Sequence, residues 1–351
     1  MTRGRTPAAR ALSLLLDETP PGPIGGRALA TAGIGVSGPI LLGVATGHLS
    51  LGLTVGLGAL FLSGGGDPAG TGRWRSAAVG AALALLAVAA ALLTVQGPAP
   101  ELTMVGLAFV AAMVSGYSRA VGAVAIRAII YLVLCVTLLE GAGAHRPVVA
   151  AVFVAGAGWN ILVRTIMAGR AAPEAAEAGR CRPTQRQLWN NWRRGLTTWS
   201  GWQFPVRLTA GLAAACGLRD LWPEHHFGWI VLTTALLTQR PLEAFPLRLL
   251  QRTVGTAAGV GLAWLLLSDR LAPAMATALI AGLASLASLA RMRSYLLYAA
   301  LSTPVILLVM DFGRAVDPKL LADRLIATGV GAGLVLVGNL LSSRLSPSAA
   351  T

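Results

Sequence analysis

Charge is what this chain has least of. Only 12% of its 351 residues are charged, against a hydrophobic share of 55% and a mean hydropathy of +0.68, whereas a soluble domain carries roughly 25% charged residues. That scarcity excludes a water-soluble globule and points to a polytopic membrane protein. Lysine is nearly absent, with Lys319 alone in the chain. It falls in a predicted loop, so no G-x-x-x-x-G-K-[ST] phosphate loop can be written, and an ATP-driven pump within this chain is excluded. Gly33, Gly35 and Gly38 match G-x-G-x-x-G, but inside an apolar run with no βαβ unit around them. Cys135, Cys181 and Cys216 share no disulfide or metal-ligand spacing, which predicts free thiols. His48, His145, His225 and His226 all fall at the outer ends of apolar runs, so no catalytic set forms at one depth. The reading is no enzyme, no cofactor and no metal.

Carboxylates are missing from the interior of the apolar runs as well. Glu140, Glu243 and Asp311 come closest, each at or beyond a run's end. Proton-coupled carriers keep a carboxylate deep in the membrane, so antiport through a buried acid is disfavoured, and a facilitated path or coupling by other groups stays open.

What the chain has in abundance is apolar sequence. A helix needs about 20 apolar residues to cross roughly 30 Å of hydrocarbon. On that ruler spans lie near 28–47, 49–64, 76–95, 101–118, 121–139 and 147–168, then near 205–221, 227–242, 251–268, 272–290, 294–312 and 321–343. The predicted fold class is an all-α polytopic membrane protein, with about twelve transmembrane helices as two parallel six-helix repeats. Its parts are a basic N-terminal segment with an interfacial helix (1–27), a first membrane repeat (28–168), a linker (169–204), a second repeat (205–343) and a tail (344–351). The linker sets Trp189, Trp192, Trp199 and Trp202 among arginines. Tryptophan favours the headgroup layer, so an interfacial elbow helix is preferred to a ring-stacking substrate site.

Placing the N-terminus inside puts every basic residue except Arg146, Arg219, Arg270, Arg314, Lys319 and Arg324 on inner regions. That is the positive-inside pattern of a plasma-membrane protein with both termini and the linker in the cytoplasm. It also excludes a nucleic-acid partner, because the charge is spread over short loops. Arg73 and Arg252, Gly80 and Gly259, His145 and Arg324, and Asn160 and Asn339 are each 179 positions apart. An even number of spans per copy makes the repeats parallel.

Short or glycine- and proline-broken spans at matching places in two repeats point to a substrate path. Spans two and eight are short, about 15 residues or roughly 23 Å, and Gly38-Pro39 interrupts span one. Thr54, Thr233, Thr234, Thr238 and Gln239 set polar groups beside them, either lining a path or bonding back to their own helices. Arg127 falls inside span five, Arg207 and Arg252 inside the second repeat, and Asn160 and Asn339 in spans six and twelve. These are candidates for an anion path; snorkelling is the preferred alternative for Arg127, and interhelical hydrogen bonds for the two asparagines. Asp323 and Arg324 read as a boundary anchor.

A tryptophan at a helix start (Trp229), then Gln239-Arg240-Pro241, then spaced arginines running into Arg252, Gly255, Thr256 and Gly259 resembles the fusaric-acid-resistance-like (FUSC) family. That family includes bacterial aromatic-acid exporters and, more distantly, plant aluminium-activated malate channels. A fainter echo is Gly47 to Gly66 followed by Arg73 and Arg75. The resemblance implies export of a small organic anion such as an aromatic carboxylate. Gly38, Pro39, Gly255 and Gly259 are the candidate hinge or broken-helix positions. Many bacterial exporters of this family carry a large cytoplasmic domain between their halves, and this linker is far shorter. The partners expected are membrane lipid and the anion, with a homodimer or an accessory subunit open. The competing readings are an anion channel, or a membrane scaffold that recruits a partner through the tryptophan-rich linker.

Overall fold

The computed structural model describes residues 26–62, 73–167, 183–225, 227–238, 240, 245–267, 273–291, 294–310 and 318–345. Among these residues all regular structure is helical. In chain order the helices are α1 (Gly26–Ala45), α2 (Leu49–Leu62), α3 (Arg73–Gln96), α4 (Pro100–Val114), α5 (Arg119–Gly141), α6 (Arg146–Met167) and α7 (Gln185–Leu196). They continue with α8 (Trp199–Leu221), α9 (Gly228–Leu237), α10 (Phe245–Leu267), α11 (Pro273–Ala290), α12 (Tyr295–Met310) and α13 (Pro318–Leu345). Each run predicted from hydropathy holds a helix, and α7 falls in the linker. The interfacial helix expected before residue 26 and the first part of the linker, 168–182, lie outside the described residues.

The physical reason for an all-helical chain is backbone hydrogen bonding. In hydrocarbon no water meets the amide groups, and a helix satisfies them within one segment. Five stretches are long and apolar enough to cross a membrane: α1, Ala77–Gln96 of α3, α5, Gly143–Met167 around α6, and Pro318–Arg344 of α13. Helices α2, α4, α9, α11 and α12 are apolar but shorter. Large aliphatic side chains stand uncovered along these helices, Leu102 at 75% and Leu93 at 72% exposure among them, as suits a lipid solvent. Local signals start the elements: Ser118 accepts from Val121 N–H at the head of α5, and Thr184 with Gln187 forms a reciprocal capping box on α7.

The described helices divide into two compact units. The first comprises residues 1–65, 152–167 and 243–328; the second comprises 66–151, 168–242 and 329–351. Neither unit is one half of the sequence. The first contains α1, α2, α10, α11, α12, most of α6 and the start of α13; the second contains α3, α4, α5, α8, α9, the linker helix α7 and the remainder of α6 and α13. In the first unit α1 packs on α2 and α11, α12 packs on α10 and α11, and α2 touches α12. In the second, α8 packs on α9 and α4, α5 packs on α3 and α4, and α9 touches α5. Counting six helices in each half, every pairing in the first unit has its counterpart in the second with the halves exchanged.

The core of the first unit gathers Val36, Ile40, Leu53, Ile280, Ala284, Ala287 and Val305. Its closest helix contact is α10 on α12. A Cβ at Gly255 would lie 2.8 Å from both the Ala299 Cβ and the Leu296 carbonyl oxygen, and one at Gly259 would lie 2.5 Å from the Ala300 carbonyl oxygen. That carbonyl needs company: Pro304, inside α12, has no N–H to offer the residue four before it. Gly259 brings its Cα against this oxygen, where a C–H···O contact helps to satisfy it. Both glycines therefore sit in an unbroken helix, where they permit close approach.

Gly259→Leu is expected to lower stability by about 1–3 kcal/mol through overpacking, read as a lower thermal midpoint in detergent. Gly261→Leu, on the same helix but with nothing within 4 Å of its Cβ position, should leave the midpoint unchanged.

Candidate functional site

Two arginines define the interior of the first unit. Arg252 stands about two turns into α10 and is 3% exposed, and Arg324 stands under two turns into α13 and is 1% exposed. Both belong to the first unit. Thr256 follows Arg252 by one turn, so the two side chains share a face of α10. The Arg252 Nε and the Thr256 hydroxyl have no hydrogen-bond partner among the described residues. Buried Gln251 and Asp323 belong to the same stretches of helix. Beside the arginines, Val260 and Ala263 of α10 pack on Leu307 of α12 and on Leu320 and Leu321 of α13. What such an arrangement can do chemically is hold an anion.

The same unit contains the interruption expected in span one. Residues Gly33–Ser37 of α1 form a π-helical turn, and regular α-helix resumes at Gly38 with Pro39 in its first turn. Single π turns inside α-helices recur at functional sites. Two neighbours hold this one: Trp159 Nε1 donates to the Ile34 carbonyl at 3.0 Å, and Ser37 Oγ donates to the Ala281 carbonyl at 2.7 Å. Ser285 Oγ is in hydrogen-bond contact with Ser37 Oγ. Asn160 is 1% exposed and sets its amide nitrogen against Gly35, while its Oδ1 has no partner among the described residues. Thr54 bonds back to the Ser50 carbonyl of its own helix.

The second unit brings Arg207 and Asn339 together. Arg207 Nη1 donates to Asn339 Oδ1 at 2.5 Å, its Nη2 to the Arg240 carbonyl at 3.3 Å and its Nε to the Gln203 carbonyl at 3.4 Å. One side chain thus ties α8 to the end of α13 and to the turn after α9. Thr233 and Thr234 in α9 are fully buried with no partner for their hydroxyls among the described residues, and Thr238 bonds back to the Thr234 carbonyl. Arg127 is half-buried on α5. Gln239 lies outside the described residues. Cys135 and Cys216 are buried thiols, and Cys181 is not among the described residues.

Hydropathy reading missed one cluster. At the far end of α8, Arg219 meets Glu101 of α4 at 2.7 Å, Glu140 of α5 at 3.1 Å and its neighbour Asp220 at 2.9 Å. The signal available was an arginine and three carboxylates all at ends of apolar runs. Their meeting depends on which ends pack together.

These features define a class: a multi-pass α-helical membrane protein whose apolar helices enclose buried guanidinium groups. Residues 212–338 match the model of the family described as fusaric acid resistance protein-like. The FUSC resemblance carried by Arg252, Gly255, Thr256 and Gly259 is thereby upheld over a little more than a third of the chain, and that family suggests membrane transport of some kind. No curated protein and no solved structure matches the chain.

Hydrogen bonds to a charged group contribute about 1.5–3 kcal/mol. Arg207→Ala and Asn339→Ala should each lower the thermal midpoint. The double variant should fall short of additivity by more than about 0.5 kcal/mol, the signature of a direct pair.

Proposed function

We propose that this chain is a plasma-membrane transporter that moves small organic anions outward, aromatic carboxylates among them. The observation that supports this best is the burial of Arg252 and Arg324 in the first unit, with the Arg252 Nε and the Thr256 hydroxyl on α10 left without a partner among the described residues. A guanidinium in a membrane helix costs about 3 kcal/mol on insertion scales, and an anion bound at Arg252 offsets part of that cost. The family matched over residues 212–338 favours transport over a scaffold role.

The rest of the proposal is architectural. About twelve helices cross the membrane as two parallel repeats, residues 28–168 and 205–343, with both termini and the linker on the cytoplasmic face. The recurrence of the same helix pairings in the two units, with the halves exchanged, supports the repeat. The positive-inside distribution of arginines supports the orientation. The π turn at Gly33–Ser37 and the glycine-proline pair after it support a flexible point in span one.

Flux into proteoliposomes, measured across a panel of aromatic and aliphatic carboxylates, tests the reading. Arg252→Gln and Arg324→Gln should each lower anion flux by about tenfold or more, the loss of a charge-assisted contact, and Arg252→Lys should retain part of it. Wild-type rates in both glutamine variants would overturn the proposal. The thermal midpoint of each variant separates lost transport from lost folding.

A further inference from the structure

Threonine in an apolar helix has a ready partner for its hydroxyl, the carbonyl four residues back. Thr94, Thr137, Thr209, Thr303 and Thr328 all take it, at 2.7 to 2.9 Å, and Thr253 of α10 donates in the same way to the Leu249 carbonyl. Three buried threonines do not. Thr233 and Thr234 of α9 and Thr256 of α10 are 0% exposed, and their hydroxyls have no hydrogen-bond partner among the described residues. On α9 a packing reason is visible. A Cβ on Gly331 would lie 3.1 Å from the Thr233 Cγ2, and one on Gly211 would lie 3.1 Å from the Thr234 Cγ2, so each methyl is seated on a glycine of another helix. Thr256 differs in its company. One turn before it on the same face stands Arg252, whose Nε is also without a partner among the described residues.

That face of α10 is held in place. It continues into Val260 and Ala263, which pack on Leu307, Leu320 and Leu321, and the adjoining face is closed on α12 at Gly255 and Gly259. Side chains one turn apart leave the helix about 5–6 Å from each other. A carboxylate, with two oxygens and a hydrogen-bond reach of about 2.8 Å on either side, spans that interval. We infer that the Thr256 hydroxyl is the second donor of the Arg252 site and makes it select carboxylates over spherical anions such as chloride. One carboxylate oxygen accepts from the Arg252 Nε and the other from Thr256 Oγ1. A halide, being a single centre, takes the guanidinium charge and leaves the hydroxyl unbonded. An unbonded hydroxyl in an apolar interior is unfavourable, and a bound carboxylate relieves it. The inference rests on the anion-transport reading, but Thr256 has no charge, so the two are tested by different variants.

Thermal midpoints of the whole chain in detergent, titrated with benzoate and separately with chloride, provide the test. Benzoate should raise the wild-type midpoint saturably. Thr256→Val, which keeps the side-chain shape and every charge, should raise the benzoate concentration for half that shift about tenfold, the loss of one hydrogen bond to a charged group. Its response to chloride should not change, and equal losses toward both anions would overturn the selectivity. Thr256→Ser should stay near wild type, and Thr253→Val, beside it on α10, should match wild type. Without ligand, Thr256→Val should melt at or above the wild-type midpoint, because the hydroxyl it removes has no bond to lose; a lower midpoint would mark Thr256 as structural and overturn the inference. A wild-type benzoate response in Thr256→Val overturns this inference alone when Arg252→Gln abolishes that response. If Arg252→Gln keeps the response, or the wild type shows none, the anion-transport reading fails as well.

Discussion

A guanidinium removed from water has to recover its hydrogen bonds and its counter-charge from the protein, and the way each arginine does so organises this structure. Arg219 recovers both from three carboxylates, and in doing so joins the ends of α4, α5 and α8. Arg207 is held by an amide and two carbonyls, which tie α8 to the end of α13 and to the turn after α9. Arg252 stands at the other extreme, buried and with no hydrogen-bond partner for its Nε among the described residues.

The backbone obeys a parallel constraint. Where a helix is regular its amides satisfy one another, and where it is not, a neighbour steps in. The π turn of α1 has the Trp159 indole on its Ile34 carbonyl. Proline in α12 leaves the Ala300 carbonyl short of a donor, and Gly259 closes on it. Irregular backbone in an apolar setting is tolerated only where such partners exist. The interruption in α1 is thus held by side chains from α6 and α11, elements far away in sequence. Motion at that turn would have to break those contacts, which ties any opening of α1 to displacement of its neighbours.

Much of the fold was legible because hydropathy and helix length are read along one dimension. Apolar runs, their breaks at Gly38-Pro39 and the polar linker all correspond to observed elements. The candidate site was legible in part. Arg252 and Thr256 stand out as polar residues one turn apart in an apolar run, and their shared face follows from helical periodicity. Arg324 read as an edge residue, because its run opens with Lys319 and Asp323; its burial is a property of packing. Gly255 and Gly259 stood out as glycines without revealing why, since a glycine that bends a helix and one that lets a neighbour close in look alike in sequence.

The amino-acid sequence by itself determined that the chain is helical, apolar and rich in arginine at the ends of its apolar runs, because each of these is a sum over local residues. Tertiary structure alone decided which helices share a unit. It placed α1 and α2 with α10 to α12, and α8 and α9 with α3 to α5. It also decided which arginines acquire partners. Those outcomes depend on which surfaces meet across more than a hundred residues of intervening chain, where side-chain shape and hydrogen-bond geometry choose among many helix faces of nearly equal hydropathy.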